Sequence, residues 1–322
     1  MQQLPRRPLL AAVAAGLSAP AIVRAQGART LRFVVPFAAG GVTDIAMRML
    51  AQHMSQTLAQ TIVVENRPGG NAIIASEAVA HAPKDGLTVL VGGTAGLPLN
   101  AMMRRNLPYK LEDFASVALL FDGPLTLTIN ADLPPRDIAS FVQYAKAQPN
   151  TLRYGTNGTG SVSHLFGILM ADAMGICLTD VAYRGSGPST TDLLAGVIEI
   201  GVEAPPVTIE HVRAGKLRLL GLSFDERAPL LPDIQTFKEA GYPQLNTSFW
   251  TALLVPAGTP AAEIARLNDA ANKALDSEAI RRRLTTAALR PIIGAPSLLD
   301  EQMQRDREQW GRIIAERKIT LD

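Results

Sequence analysis

Cysteine is almost missing from this chain: Cys177 is the one among 322 residues. No intrachain disulfide can form, so the core must hold the fold. The thiol sits in the apolar run MGICLTDVAY and reads as a buried packing residue, not a nucleophile. Excess charge of either sign is missing too. Lys plus Arg number 31 and Asp plus Glu 29, a formal net charge of +2, and the basic residues are scattered. A nucleic-acid partner needs a clustered basic face, so none is expected. His53, His81, His164 and His211 are the only histidines and share no metal-ligand spacing, so neither metal nor cofactor is expected. Enzyme motifs are absent as well. There is no G-x-S-x-G elbow, no G-x-G-x-x-G fingerprint, and GTNGTGS lacks the Lys that ends a nucleotide-phosphate loop. No catalytic residue is therefore assigned.

One long apolar run is present, and it is at the start. Arg6 and Arg7 precede an apolar stretch from Pro8 to Val23, and Val23, Arg24 and Ala25 form a small-x-small ending before Gln26. That order is a secretory signal peptide over residues 1–25. The alternative is an uncleaved anchor, but the run falls short of the roughly 20 residues a span needs. The arginine pair leaves Sec and twin-arginine export both open. Beyond it, no stretch is apolar enough to cross a bilayer, and a soluble periplasmic protein is expected.

The rest alternates strand, glycine-bearing loop and helix. Leu31–Val35 leads through PFAAGG into a helix from Thr43, and Thr61–Glu65 through NRPGG into an Ala-rich helix before the strand Leu87–Val91. The plan recurs with Leu152–Tyr154, GTNGTG and a helix from Ser161, then Leu178–Ala182, YRGSGP and a helix from Ser189, and the strands Val197–Val202 and Leu217–Leu222. This alternation predicts parallel α/β sheets. Thr126–Pro135 reads as a crossing between two halves, and a Pro-rich return reaches Phe249, Trp250 and the strand Thr251–Val255. Helices over Ala261–Ala287 and Pro296–Arg317 are expected to pack back on the first half. The expectation is an α/β clamshell with two interdomain crossings: residues 26–128 plus 249–322 in one domain, 129–248 in the other.

In open parallel sheets, ligands bind beyond the carboxyl ends of strands. There, glycines let the backbone approach and helix starts offer N–H donors to an anion. Four loops occupy that place, so a small carboxylate or phosphate ligand is expected. Thr43 and Ser161 open helices and read as N-caps with or without a ligand contact. Asp44 suits the first turn against the helix dipole. Arg67, beside Glu65, reads as structural; Arg184 is a candidate carboxylate partner. Glu203 ends a strand and reads as a solvated rim position. His164 reads as a helix-side hydrogen-bonding residue.

The strings VVPFAAGGVTD, VVENRPGG, APKDG, YGTNGTGSVSHL, VAYRGSGPSTTDLLAG, AGKLRLLGLS, LPDIQTFKEAGYP and LLVPAGTP resemble, in order, those of Bug-type substrate-binding proteins of tripartite tricarboxylate transporters. The resemblance implies a type II periplasmic-binding-protein fold closing on a di- or tricarboxylate, acidic amino acid or aromatic acid, with membrane components of the transporter as partners. It implies ligand contacts at Phe37, Ala39, Gly40, Thr43, Asp44, Thr156, Asn157, Ser161 and His164, to which Arg184 and Glu203 are added from their loop positions. Ala39 stands where the family usually has Pro, Gly70-Asn71-Ala72 replaces a longer glycine run, and Thr251-Ala252 follow Trp250 where Gly is common. A monomer is expected. Two alternatives stay open: a receptor signalling to a membrane sensor, and a hydrolytic enzyme on the same fold.

Overall fold

A computed structural model describes residues 30–40 and 42–321; the signal peptide expected over residues 1–25 lies outside them. The chain begins with β1 (Leu31–Val35), α1 (Val42–Leu58), β2 (Ile62–Asn66), α2 (Ile73–Ala80) and β3 (Thr88–Gly93). Strands β2, β1 and β3 pair in parallel. A wide turn at Ala95–Leu99 and α3 (Asn100–Met103) lead to β4 (Phe114–Pro124). After Leu125 come β5 (Thr126–Asn130), α4 (Ile138–Ala147), β6 (Arg153–Thr156), α5 (Val162–Met174), β7 (Thr179–Ala182), α6 (Ser186–Leu194), β8 (Ile200–Glu203), α7 (Pro205–Arg213) and β9 (Leu217–Leu222). The chain then returns as β10 (Ser248–Pro256), α8 (Ala261–Asp276), α9 (Glu278–Thr285), β11 (Arg290–Pro291) and α10 (Ser297–Glu316).

These strands form two mixed sheets, ordered β11-β4-β10-β3-β1-β2 and β7-β6-β8-β5-β9. The first is covered on both faces, and its strands alternate between two cores. Leu31, Phe33 and Val35 of β1, with Val89 and Val91 of β3, pack with α1 and α8; Val34 and Leu90 point into the opposite core with Ala75 and Val79 of α2. Side chains of a strand alternate faces, so the run LRFVV serves both cores.

The passage between sheets falls at Leu125, just ahead of the segment expected to cross, and Thr126–Asn130 is a strand of the second sheet. Ser223 fastens this passage to the returning one. Its Oγ accepts from Leu125 N at 2.8 Å and donates to Thr247 O at 2.6 Å. Its own N–H donates to Leu125 O, and its carbonyl accepts from Thr247 N, both at 3.0 Å.

Three local expectations are corrected. The helix expected over 261–287 breaks at Ser277, whose extended ψ of 128° separates α8 from α9. Cys177 is exposed, not buried. It lies in the connection just ahead of β7, an edge strand of the second sheet, where Ile176 is buried and its neighbour is not. Helix α10 does not stay on the first half. Leu299 packs with the first sheet, whereas Trp310, Ile313 and Ile314 sit among Phe166, Met170 and Leu127 of the second. Twenty residues make a rod of ~30 Å, long enough to bridge both bodies.

Candidate functional site

A cavity of about 290 Å³ lies between the sheets. Its walls are the segments that follow strand carboxyl ends, where such sheets place ligands. The first sheet gives Pro36 and Phe37 after β1, Thr43 in the first turn of α1, and Thr94 to Gly96 after β3. The second gives Asn157 after β6, Ser161 and Ser163 at α5, Ser186 at α6, and Glu203 at the end of β8. Phe249 and Trp250, where β10 begins, line the apolar side with Val202 and Val207. No Lys, Arg or His is among these lining residues. A second cavity, about 240 Å³, lies between α1, α7 and α9 and is walled by Ile45, Met49, Ile209, Leu230 and Leu284. It is away from the strand ends and has no cluster of hydroxyls.

Local rules explain how the polar groups are aimed. Ser161 is the N-cap of α5: its Oγ accepts from His164 N at 3.2 Å. Ser163 Oγ accepts from Asn157 N at 3.0 Å and lies 3.0 Å from Ser161 Oγ, so three groups of this turn converge at one helix start. Gly185, with φ of 105°, opens α6 in a conformation a side chain would resist, and it delivers Ser186 to the cavity. Gly96 meets the neighbouring segment before α2 so closely that a Cβ there would come within 2.5 Å of Ala72 Cβ. Helix α7 begins with Pro205 and Pro206, so it presents fewer free N–H donors than α5.

Glu203 is the one charged residue of the lining, and its rim reading is corrected: it is 3% exposed. Ser186 Oγ lies 2.8 Å from Oε2, and Asn157 Nδ2 donates to the same oxygen at 3.2 Å. Oε1 is buried and has no hydrogen-bond partner among the described residues. Burial pushes the carboxyl up to about 7, against the opposing hydrogen bonds from Ser186 and Asn157.

Asp44, Ala39, Gly40, Thr156, His164 and Arg184 are not among the residues that line the cavity. Asp44 is buried under the loop after β1, accepting from Gly40 N at 2.9 Å, Arg48 Nε at 3.0 Å and Asn66 Nδ2 at 2.8 Å. The Arg48 hydrogen bond holds its carboxyl down at about 2. Asn66 Nδ2 also donates to Phe37 O at 3.0 Å, so this cluster sets the loop that carries Phe37. Ala39 and Gly40 are exposed in that loop. Thr43 lies inside the first turn of α1 and not at its cap. Thr156 is buried beneath the next loop, its Oγ1 accepting from Gly158 N at 3.3 Å. His164 Nδ1 accepts from Gly160 N at 3.2 Å, and its Nε2 faces Asp180 Oδ2 at 3.9 Å. Burial keeps its pKa below the ordinary value, so the ring is a neutral brace for the Gly-Thr-Gly turn. Arg184 is exposed, and Arg67 pairs with Glu65 at 2.7 Å.

Sequence reasoning missed Thr94, Ser163 and Ser186. A signal existed for the first: Gly92-Gly93-Thr94-Ala95-Gly96 is a fifth glycine-bearing loop at a strand end. Ser163 and Ser186 stand beside glycine-loop residues that were named.

Residues 46–319 match the family model described as tripartite tricarboxylate transporter family receptor. Protein BugT of Bordetella pertussis is 33% identical over 304 residues, covering 94% of this chain and 93% of that protein. MatC from Rhodopseudomonas palustris, solved with bound malate, is similar at a TM-score of 0.77 and 32% identity, over 89% of this chain and 99% of that one. The periplasmic binding protein BugD is similar at a TM-score of 0.78 and 28% identity, over 91% and 98% of the two chains. Two sheets joined by paired crossings, a cleft at their strand ends and full-length matches of this kind have one reading: the chain belongs to the tripartite tricarboxylate transporter family of receptors and has their periplasmic-binding-protein fold.

Proposed function

We propose that this protein is a periplasmic receptor that encloses a small organic carboxylate between its two sheets and presents it to the membrane components of a tripartite tricarboxylate transporter. The observation that carries the reading is the wall formed by Ser161, Ser163 and Thr43, with the capped start of α5, in a cavity without a cationic side chain. Backbone N–H groups and hydroxyls at a helix start suit a carboxylate without a buried ion pair and its desolvation cost. Malate bound by MatC supports the same chemistry here. The domain division that fits this role is the expected one with its first boundary moved to Leu125, because Thr126–Asn130 pairs in the second sheet; Leu125 and Ser223 then form the hinge, and α10 leans on both parts. An exported monomer that returns its ligand unchanged completes the reading.

A thermal-shift screen of organic acids on the mature protein tests this. A ligand present at about 100 times its Kd adds roughly 2.7 kcal/mol to stability, an unmistakable rise in Tm. Small-angle scattering with that ligand should show compaction as the sheets close on it. No stabilisation by any small carboxylate would overturn the proposal, and so would chemical conversion of the bound acid.

A further inference from the structure

The cavity has two chemically different ends. One is the start of α5, where Ser161, Ser163 and the Asn157 backbone gather donors and hydroxyls. The other is Glu203, buried at 3% exposure on the central strand β8, with one carboxyl oxygen satisfied and the other not. Asn157 joins them, its backbone at the first end and its side chain on Glu203 Oε2. The ends are therefore a single residue apart in the wall, within reach of one small ligand.

A buried polar atom left without a partner costs free energy, and native structures leave few. Here the orphaned oxygen is buried and belongs to a residue of the cavity lining, so a ligand in the cavity is positioned to supply its missing donor. The second carboxylate of a dicarboxylate brings no donor and would set its charge against an ionised Glu203 with no Lys, Arg or His in the wall to offset the repulsion. A protonated amine brings donors and the opposite charge.

Resting on the carboxylate-receptor reading, we propose that Glu203 is the specificity-determining residue of this site and recognises the ammonium group of an amino-substituted monocarboxylic acid, whose carboxylate is held at the start of α5. The ligand is then a zwitterion, not a dianion. Ser186 and Asn157 hold Oε2 and leave Oε1 for the ligand. These two neutral groups, from α6 and from the loop after β6, are the side chains that face the carboxyl, and no charged group of the described residues is hydrogen-bonded or ion-paired to it. The proton balance is simple: where Glu203 is protonated in the free protein, binding the ammonium releases that proton.

Calorimetry on the mature protein with matched probes tests the proposal. γ-Aminobutyrate and glutarate differ in an ammonium or carboxylate at the far end, and valine and isovalerate in an ammonium beside the carboxylate. An amine-bearing probe should bind more tightly than its partner, and Glu203→Gln should cut that preference by roughly tenfold or more. The wild-type affinity for the amine probe should also rise between about pH 6 and about pH 8, as Glu203 ionises, while that for glutarate falls. This second readout does not depend on how the variant folds. Tighter binding of the amine-free partners, or an amine preference unchanged by Glu203→Gln and flat with pH, overturns the proposal and leaves the carboxylate receptor standing. Silence from all four probes together with a failed organic-acid screen removes the receptor reading itself, and this inference with it.

Discussion

Trp250 Nε1 donates to Asp306 Oδ2 at 2.6 Å in a fully buried setting, coupling a wall residue of the cleft to the helix that bridges both sheets. Gln302 Nε2 donates to the other oxygen at 3.0 Å from one turn earlier on α10. Burial raises the Asp306 carboxyl to about 6, against the hydrogen bonds from Trp250 and Gln302.

A folded-state pKa above the unfolded value means that the native protein holds the proton more tightly. Stability linked to Asp306 is then complete below about pH 4 and is lost as pH rises through about 6. From 3.8 to about 6 is about two pH units, on the order of 3 kcal/mol. Asp306→Asn should remove this slope in urea titrations across that window. Trp250→Phe should cost ~1–3 kcal/mol, because it strands a buried carboxyl oxygen.

Glu203 predicts a second slope at higher pH. Its shift from 4.5 to about 7 is about 2.5 units, on the order of 3 kcal/mol of stability lost between those values as pH rises. Glu203→Gln should match wild type near pH 4 and exceed it above about pH 7 in the absence of ligand. Stability curves that stay parallel would show that water relieves the buried charge.

Asp44 works in the opposite direction. Its folded pKa of about 2 lies below 3.8, so its contribution is present above that value and disappears as pH falls toward 2. Asp44→Ala should steepen proteolysis of the 36–40 loop and weaken ligand binding without touching the ligand, since Gly40, Arg48 and Asn66 lose their common anchor.

Ser223→Ala should cost ~1–3 kcal/mol, because it leaves Leu125 N without its acceptor and Thr247 O without its side-chain donor in a buried hinge. Scattering of the ligand-free variant should report a broader spread of sheet-to-sheet distances than wild type. An unchanged profile would assign the hinge to other contacts.

Ser161→Ala should lower stability by ~1 kcal/mol as a lost N-cap and weaken ligand binding as well. Arg184→Ala, at an exposed position outside the cavity lining, should leave binding within twofold. Loss of binding on Arg184→Ala with Ser161→Ala silent would reverse the assignment of the carboxylate end.

Much of this molecule was legible in the chain itself, because strand-loop-helix alternation and glycine placement are local properties. The short apolar runs LRFVV and LRLLGL, the cap at Ser161 and the glycine loops require only neighbouring residues to be read. Burial of an individual polar or reactive side chain is not local. Cys177 and Glu203 both lie at the end of short apolar runs, yet one is exposed beside an edge strand and the other is buried on a central one. Strand order decided that difference, and residues far apart in sequence, Asn157 and Ser186, made Glu203 part of a site. In the same way, an amphipathic pattern shows that α10 is a helix, but its length against the spacing of the two cores decided that it bridges them. The sequence by itself determined the elements and their loops; the tertiary structure decided which polar groups lose water, and thereby which of them a ligand must satisfy.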